Sequence, residues 1–198
     1  MKSWRVVLGL VFLVLVLPTA AWADCSDYPD PYYEDINGDG IDGDTSIAIF
    51  VSSSAGNDAN PGTMSQPVQT INQGIALAIA NSKSHVYVAA GTYPPVTMQS
   101  GISVYGQYDG PPSWGRSNSN TSTISGAGTA VLAPIITVET HLEGFSINAG
   151  GGLTNYGVRV INGTGQLYIR YNNILAGLGV DGLSGPNGPP GNNGGPGG

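Results

Sequence analysis

The chain has 198 residues, of which 31 are glycine and 14 are proline, and only 10% are charged. A hydrophobic fraction of 40% is enough to bury a core, and a chain of this length is expected to form one domain. The formal net charge of -7 argues against a nucleic-acid partner.

The start of the chain, residues 1–23, has the pattern of a secretory signal peptide. Lys2 and Arg5 give a basic start, residues 6–17 are apolar, and residues 21–23 form an Ala-x-Ala cleavage pattern. A membrane span needs about 20 apolar residues, so this run is too short, and no second run follows it. We therefore expect export, with no transmembrane segment after cleavage; a retained anchor is the alternative.

An acidic leader, residues 24–46, follows the signal peptide. It holds eight of the thirteen acidic residues and no lysine or arginine. Its string EDINGDGIDGD opens like an EF-hand or dockerin loop, with alternating oxygen-bearing side chains that suit calcium, but the twelfth position is Ser46 rather than a bidentate glutamate. A solvated linker is the alternative to a calcium loop. The candidate calcium ligands are Asp35, Asn37, Asp39, Asp42 and Asp44.

Residues 47–51 alternate in a β-like register and predict the first strand. The string Asn60-Pro61-Gly62-Thr63 then has proline and glycine at the two central positions that a type II turn favours.

A short helix is predicted to begin after Thr70. Thr70 can cap the helix while Gln73 reaches back to it, as in a capping box. Ile71, Ile75 and Ile79 recur at a spacing of four, so one apolar stripe is expected to face a core.

Beyond this helix, short β-rich runs alternate with glycine, asparagine and serine. Nothing between them is long or periodic enough for crossover helices, which argues against a doubly wound or barrel α/β fold. The predicted strands are residues 85–89, 95–98, 102–105, 121–124, 135–139, 141–147, 156–161 and 166–174.

The late strands repeat. Residues 135–138 resemble residues 158–161, and residues 142–150 resemble residues 169–177 at a somewhat longer shift. Repeats of this length built from strands and turns predict a β-solenoid. At one bend, the side chains of Asn172 and Asn173 either bond to the turn backbone or are ordinary turn residues.

Three strings carry a family resemblance: FVSSSAGNDANPGTMSQPVQTINQGI, VYVAAGTY and GISVYGQYDG. Together they resemble the N-terminal part of bacterial right-handed parallel β-helix proteins of the pectate-lyase-like superfamily, in a subgroup often labelled a domain of unknown function. The resemblance implies an all-β fold, a right-handed parallel β-helix over residues 47–177, with a short N-terminal capping helix. It also implies a secreted or bacterial cell-surface location, and it implies no reaction.

The sequence predicts no catalytic and no cofactor-binding residues. The strings Asn-Thr-Asp, Asp-Asp and Gly-His-Gly, which the hydrolases of that superfamily use, do not occur. His85 and His141 lie several coils apart, so we expect no metal site there. Four charged residues of the late strands could meet on one face or form a surface ion-pair ladder: Glu139, Glu143, Arg159 and Arg170.

An aromatic group in the string YGQYDGPPSWGR is a possible carbohydrate contact, because exposed rings can stack on sugars. The alternative is that these rings pack over a loop. The residues are Tyr105, Tyr108, Trp114 and Arg116.

Residues 178–198 form a tail with glycine at every third position, as in collagen. With so few prolines we expect a disordered glycine-rich segment. The solenoid would then lack a cover at its C-terminal end, which predicts possible self-association there.

The sequence thus predicts an exported structural or adhesive cell-surface protein. The alternative is a β-helix domain that binds or cleaves polysaccharide in the manner of a lyase. The expected partners are polysaccharides or other surface proteins, and acidic polymers are poor partners unless calcium bridges them.

Overall fold

The computed structural model describes residues 27–163, 165–182, 185 and 188 of the chain. The expected signal peptide and most of the expected glycine-rich tail lie outside the described residues. Within the described part, no helix is both long enough and apolar enough to span a bilayer.

The described residues form mostly short strands. A 3₁₀ turn covers Thr45–Ile47, and the helix α1 covers Ile71–Ala80. The strands are β1 (Ala48–Val51), β2 (His85–Ala89), β3 (Gly91–Tyr93), β4 (Val96–Thr97), β5 (Ser103–Tyr108), β6 (Ser122–Gly126), β7 (Thr129–Ala133), β8 (Thr140–Glu143), β9 (Phe145–Ala149), β10 (Tyr156–Val160), β11 (Leu167–Arg170) and β12 (Asn173–Ala176).

These strands form three sheets, and the paired strands of every sheet are parallel. Sheet A has the order β1-β2-β5-β8-β11, sheet B the order β3-β6-β9-β12, and sheet C the order β4-β7-β10. From β2 onward the chain visits the three sheets in turn and places each strand beside its counterpart from the previous pass. The fold is therefore all-β and β-helix-like.

The predicted repeat between residues 142–150 and residues 169–177 is confirmed by the strand register. Ile169 lies beside Leu142 in sheet A, and Ile174 lies beside Ile147 in sheet B. Each of these side chains therefore stacks on its sequence counterpart from the previous pass, as the sequence predicted for this stretch.

The predicted repeat between residues 135–138 and residues 158–161 is wrong. Residues 135–138 form no strand, and Ile135 is 57% exposed. In sheet C, Val158 lies beside Val131 of β7, at the same sequence separation as the pairs in sheets A and B. The string TAVLA of β7 has two alanines and no aromatic residue, so its β signal is weaker than that of residues 135–138.

A single buried cluster joins aliphatic side chains from all three sheets. Val86 and Val104 of sheet A, Ile124 of sheet B and Val131 of sheet C all belong to it and are fully buried. Because side chains alternate along a strand, the neighbours of these residues on sheet A point to the opposite, outer face.

The type II turn predicted at residues 60–63 is wrong. The turn lies three residues earlier, where the Asn60 amide donates to the carbonyl oxygen of Asn57 at 2.8 Å, and the Thr63 amide donates to Gln66 rather than back to Asn60. Gly62 has φ +78, a left-handed value that favours glycine. A Cβ at this position would lie 2.7 Å from Cγ2 of Ile49. Asn60 Nδ2 donates to the carbonyl oxygen of Pro67 at 2.9 Å and closes the loop.

The helix start is capped by Thr70 as predicted, but its second partner differs. The Gln73 amide donates to Thr70 Oγ1 at 3.2 Å. The Thr70 amide donates to Asp58 Oδ1 at 2.8 Å rather than to Gln73, and the Gln69 amide donates to the same oxygen. An aspartate from the preceding loop therefore completes the cap.

Helix α1 packs against β1 and β2 through two of the three predicted isoleucines. Ile71 and Ile75 are buried, whereas Ile79 is 56% exposed. Gly74 permits the close approach, because a Cβ there would lie 2.6 Å from Cγ2 of Val51.

Candidate ligand-binding groove

The acidic leader packs on the outer face of sheet A. Asp42 Oδ2 and Arg116 form an ion pair at 2.8 Å, with both side chains 1% exposed. Tyr108 Oη donates to the carbonyl oxygen of Asp42 at 2.6 Å, and the Asp44 amide donates to Tyr87 Oη at 2.9 Å. Residues 27–44 are therefore part of the folded structure rather than a solvated linker.

Burial changes the acidity of the Asp42 carboxyl group. Desolvation raises the pKa of Asp42 to about 6 and outweighs the hydrogen bond and charge of Arg116, which lower it. Arg116 also donates through NH1 to the carbonyl oxygen of Asp30 at 2.8 Å. One arginine of the β-helix-like body thus holds two points of the leader.

The residues predicted to contact carbohydrate are all buried, and two of them, Tyr108 and Arg116, bond directly to this leader. The exposed fractions of Tyr105, Tyr108, Trp114 and Arg116 are 2%, 0%, 0% and 8%. Trp114 Nε1 donates to the carbonyl oxygen of Met64 at 2.9 Å. In this arrangement the rings of Tyr108 and Trp114 pack within the fold, the alternative stated from the sequence, whereas Tyr105 also lines the groove described below.

The predicted calcium ligands separate into two sets. Asp35 and Asp39 accept backbone N–H groups of their own loop, and the Asn37 amide group donates to Asp39 at 3.2 Å. Asp42 is instead paired with Arg116, and Asp44 accepts from the Ser46 amide at 2.7 Å. In residues 27–163 and 165–182, no group of three or more His, Cys, Asp or Glu side chains is placed to hold a metal ion.

An open groove lies between residues 28–31 of the leader and the outer face of sheet A. We call it the outer-face groove. Two adjoining cavities of about 300 and 330 Å³ share Tyr28, Tyr105, Glu139 and His141. A third cavity of about 240 Å³ is lined by amide and hydroxyl side chains and meets the first at Tyr171.

A ladder of rings crosses the floor of the groove from β2 to β11. The ring centroids of His85 and Tyr105 are 5.2 Å apart, those of Tyr105 and His141 are 6.0 Å apart, and those of His141 and Tyr168 are 4.9 Å apart. The last pair is in direct register across β8 and β11. Strands about 4.8 Å apart place such rings within stacking distance.

His141 is held between two carboxylates. Its Nδ1 lies 2.7 Å from Glu143 Oε1, and its Nε2 lies 3.0 Å from Glu139 Oε1. The hydrogen bond to Glu143, with a smaller contribution from Glu139, raises the pKa of His141. Because both ring nitrogens are engaged, the imidazole bridges the two carboxylates and fixes their relative positions.

The pKa of His85, at the other end of the ladder, is shifted in the opposite direction to that of His141. His85 is 4% exposed, and its Nδ1 lies 3.1 Å from Tyr87 Oη. Burial lowers the pKa of His85 to about 4, and the nearby His141 contributes in the same direction. His85 is therefore a neutral structural ring near neutral pH.

Tyr171 is strained and exposed at the junction of the groove's two parts. Its φ is 53, in the left-handed region that bulky residues rarely adopt, and 58% of the residue is exposed. Gly144 occupies the equivalent position one pass earlier, with φ +80. The neighbouring Asn172 confirms the predicted backbone role, since it accepts from the Phe145 amide at 2.8 Å and donates to the carbonyl oxygen of Leu142 at 2.7 Å.

The four charged residues of the late strands do not form one ladder. Glu139, Glu143 and Arg170 line the groove, whereas Arg159 lies over the Tyr156 ring at 5.4 Å in sheet C. The sequence suggested that these acids meet arginines, but the residue that bonds to Glu139 and Glu143 is His141. The signal was present, because an acid, a histidine and an acid at alternate positions of a strand share one face.

The fold and the groove define a β-helix-like protein with an open site on the outer face of one sheet. The family described as "Protein of unknown function (DUF1565)" matches residues 54–188, which is more than half of the chain, and the chain belongs to that family. No curated protein and no solved structure matches the chain.

Proposed function

We propose that the protein is an exported adhesive protein of the cell surface that holds a sugar chain in the outer-face groove. Its body would be a short right-handed parallel β-helix of the pectate-lyase-like type, with α1 as the cap of one end. The parallel register of all three sheets and the packing of α1 on β1 and β2 support this architecture.

The observation that carries the proposal is the conformation of Tyr171. A left-handed conformation costs a non-glycine residue about 1–2 kcal/mol, and such strain is typical of functional sites. Gly144 at the equivalent position of the previous pass has no such cost. The left-handed conformation places the exposed Tyr171 ring where the two parts of the groove meet, and a ring in this position is suited to stacking on a sugar.

The rest of the groove supplies what a sugar chain requires. Tyr28 is 56% exposed and offers a second ring on the leader side. The far part of the groove offers amide and hydroxyl groups, among them Gln107, Asn118 and Asn173, for hydrogen bonds to sugar hydroxyls. The groove spans four strands, about 14 Å, which is long enough for a chain of several sugar rings.

Affinity gel electrophoresis with neutral polysaccharides tests the proposal. We expect one or more polymers to retard the wild type, and Tyr171→Ala to abolish the retardation. Tyr156→Ala is the matched control, because Tyr156 is 43% exposed and lies in sheet C, outside the groove. Equal effects of the two substitutions, or no retardation by any polymer, would overturn the proposal.

A second candidate function is assembly through the strands β10, β11 and β12. Each is an edge strand of its sheet in the described part of the chain. Ile174 and Leu175 of β12 are 44% and 63% exposed, and unpaired apolar edges favour association. Sedimentation velocity should show a dimer that Leu175→Lys disrupts and the control Ile79→Lys, on α1, does not. A monomer at all concentrations would exclude this candidate.

A further inference from the structure

The outer-face groove carries an uncompensated negative charge. Glu139 and Glu143 share the single imidazole of His141, at 3.0 and 2.7 Å. A protonated imidazole carries one positive charge and balances only one of the two carboxylates, and a neutral imidazole balances neither. The Asp30 side chain belongs to the same lining and adds a third carboxyl group.

The guanidinium of Arg170 does not pair with these acids. Arg170 is in register with Glu143, but its Cζ lies over the Tyr168 ring at 4.5 Å from the centroid. The ion pairs of the described residues join Arg116 to Asp42 and His141 to its two glutamates, and none involves Arg170. The guanidinium of Arg170 therefore contacts an aromatic face rather than a carboxylate. Arg170 lines the same cavity, but together with His141 it can balance at most two of the three carboxylates.

Glu139 is the member of the group that a ligand can reach. The Glu143 side chain is 4% exposed, whereas the Glu139 side chain is 68% exposed. Glu139 uses Oε1 for His141, and its Oε2 has no hydrogen-bond partner among the described residues. An oxygen of this kind, beside exposed tyrosine rings, is suited to a cationic group on a sugar.

We propose that the outer-face groove takes a chain of amino sugars, with an ammonium group at Glu139 and sugar ring faces on Tyr28 and Tyr171. This inference rests on the proposed sugar-binding function and names the class of sugar. The formal net charge of -7 acts in the same direction, since it attracts cationic chains and repels acidic ones.

The test is calorimetric titration of the purified protein with two glucosamine hexamers, one with free amino groups and one fully N-acetylated. We expect the amino hexamer to bind more tightly, and Glu139→Gln to weaken it by about five- to tenfold without changing the affinity for the acetylated hexamer. Glu34→Gln is the matched control, because Glu34 is an exposed glutamate that does not line the groove. It should leave both affinities unchanged.

The possible outcomes separate the two proposals. Equal binding of both hexamers, lost in Tyr171→Ala, would overturn the amino-sugar inference and leave the sugar-binding function standing. Failure of both hexamers to bind, together with failure of every neutral polymer in the gel assay, would overturn both. A hexalysine peptide that binds as tightly as the amino hexamer would show that charge alone is recognised, and this would also overturn the inference.

Discussion

Replacing Tyr171 by glycine should stabilise the fold and abolish ligand binding. The left-handed conformation at φ 53 costs tyrosine about 1–2 kcal/mol. Glycine avoids that cost but loses about 0.5–1 kcal/mol of backbone entropy on folding. Since 58% of Tyr171 is exposed, its removal sacrifices little buried surface. The net expected gain in the free energy of unfolding is about 0.5–1 kcal/mol, which corresponds to about 1–4 °C in Tm.

Thermal unfolding followed by circular dichroism measures the first effect, and gel retardation by a bound polysaccharide measures the second. Tyr171→Ala is the matched control, because alanine removes the ring but keeps a Cβ in the left-handed conformation. We expect Tyr171→Ala to lose binding without gaining stability. A lower Tm for Tyr171→Gly would refute the argument from strain, and a higher Tm with undiminished binding would refute the role of the ring in the groove.

Three further predictions concern the body and the leader. His85 has a pKa of about 4 in the folded protein and 6.5 in the unfolded chain, so the free energy of unfolding should fall by about 3 kcal/mol as the pH drops from 6.5 to 4. In urea unfolding, His85→Gln should show a flatter dependence on pH than the wild type. Parallel pH profiles of the two proteins would contradict this. Asp58→Ala should lower the free energy of unfolding in urea by about 1–3 kcal/mol, since it removes the acceptor of three donors at the start of α1. The control Asp109→Ala removes one hydrogen bond from a serine and should lower it less. Equal losses in the two variants would contradict the capping role of Asp58. Calcium binding remains a prediction for the leader: millimolar calcium should raise the Tm of the wild type and not that of Asp35→Ala, Asp39→Ala, and an equal response of both proteins would exclude it.

The parts of the fold that sequence predicted are those with local causes. The cap at Thr70 depends on a residue three positions later. The turn predicted at residues 60–63 failed, because the Thr63 amide bonds to Gln66 instead of closing a turn on Asn60. The repeat that pairs β8 with β11 could be recognised because both passes carry bulky aliphatic residues, such as Leu142 and Ile169. The repeat at β7 could not be recognised in this way, because two of its five residues are alanine and residues 135–138 beside it carry a stronger β pattern.

The position of the leader could not be predicted from sequence. It depends on the ion pair between Asp42 and Arg116, which are 74 residues apart, and no local pattern distinguishes Asp42 from the acids around it. Only the folded outer face of sheet A brings Arg116 to this carboxylate. Trp114, which the string YGQYDGPPSWGR alone makes a candidate for an exposed site, is buried against Phe50 of β1 and bonds to the carbonyl oxygen of Met64 in the loop before α1.

The candidate groove was partly predictable. Glu139, His141 and Glu143 alternate along the chain, so their shared face follows from the strand period. The contribution of Tyr171 does not follow from the strand period. Its left-handed conformation arises in the turn between β11 and β12. The place of Tyr28 depends on the docked leader, and this could only be seen in the structure.

The most direct test of the groove is a two-dimensional ¹H–¹⁵N NMR titration of the protein with the amino-sugar hexamer. We expect the largest shifts on the backbone amides of the groove, around Tyr28, residues 139–143 and residues 170–173, and no shifts on the amides of sheet C. Shifts confined to another surface, or no shifts at a saturating concentration of the hexamer, would contradict this expectation.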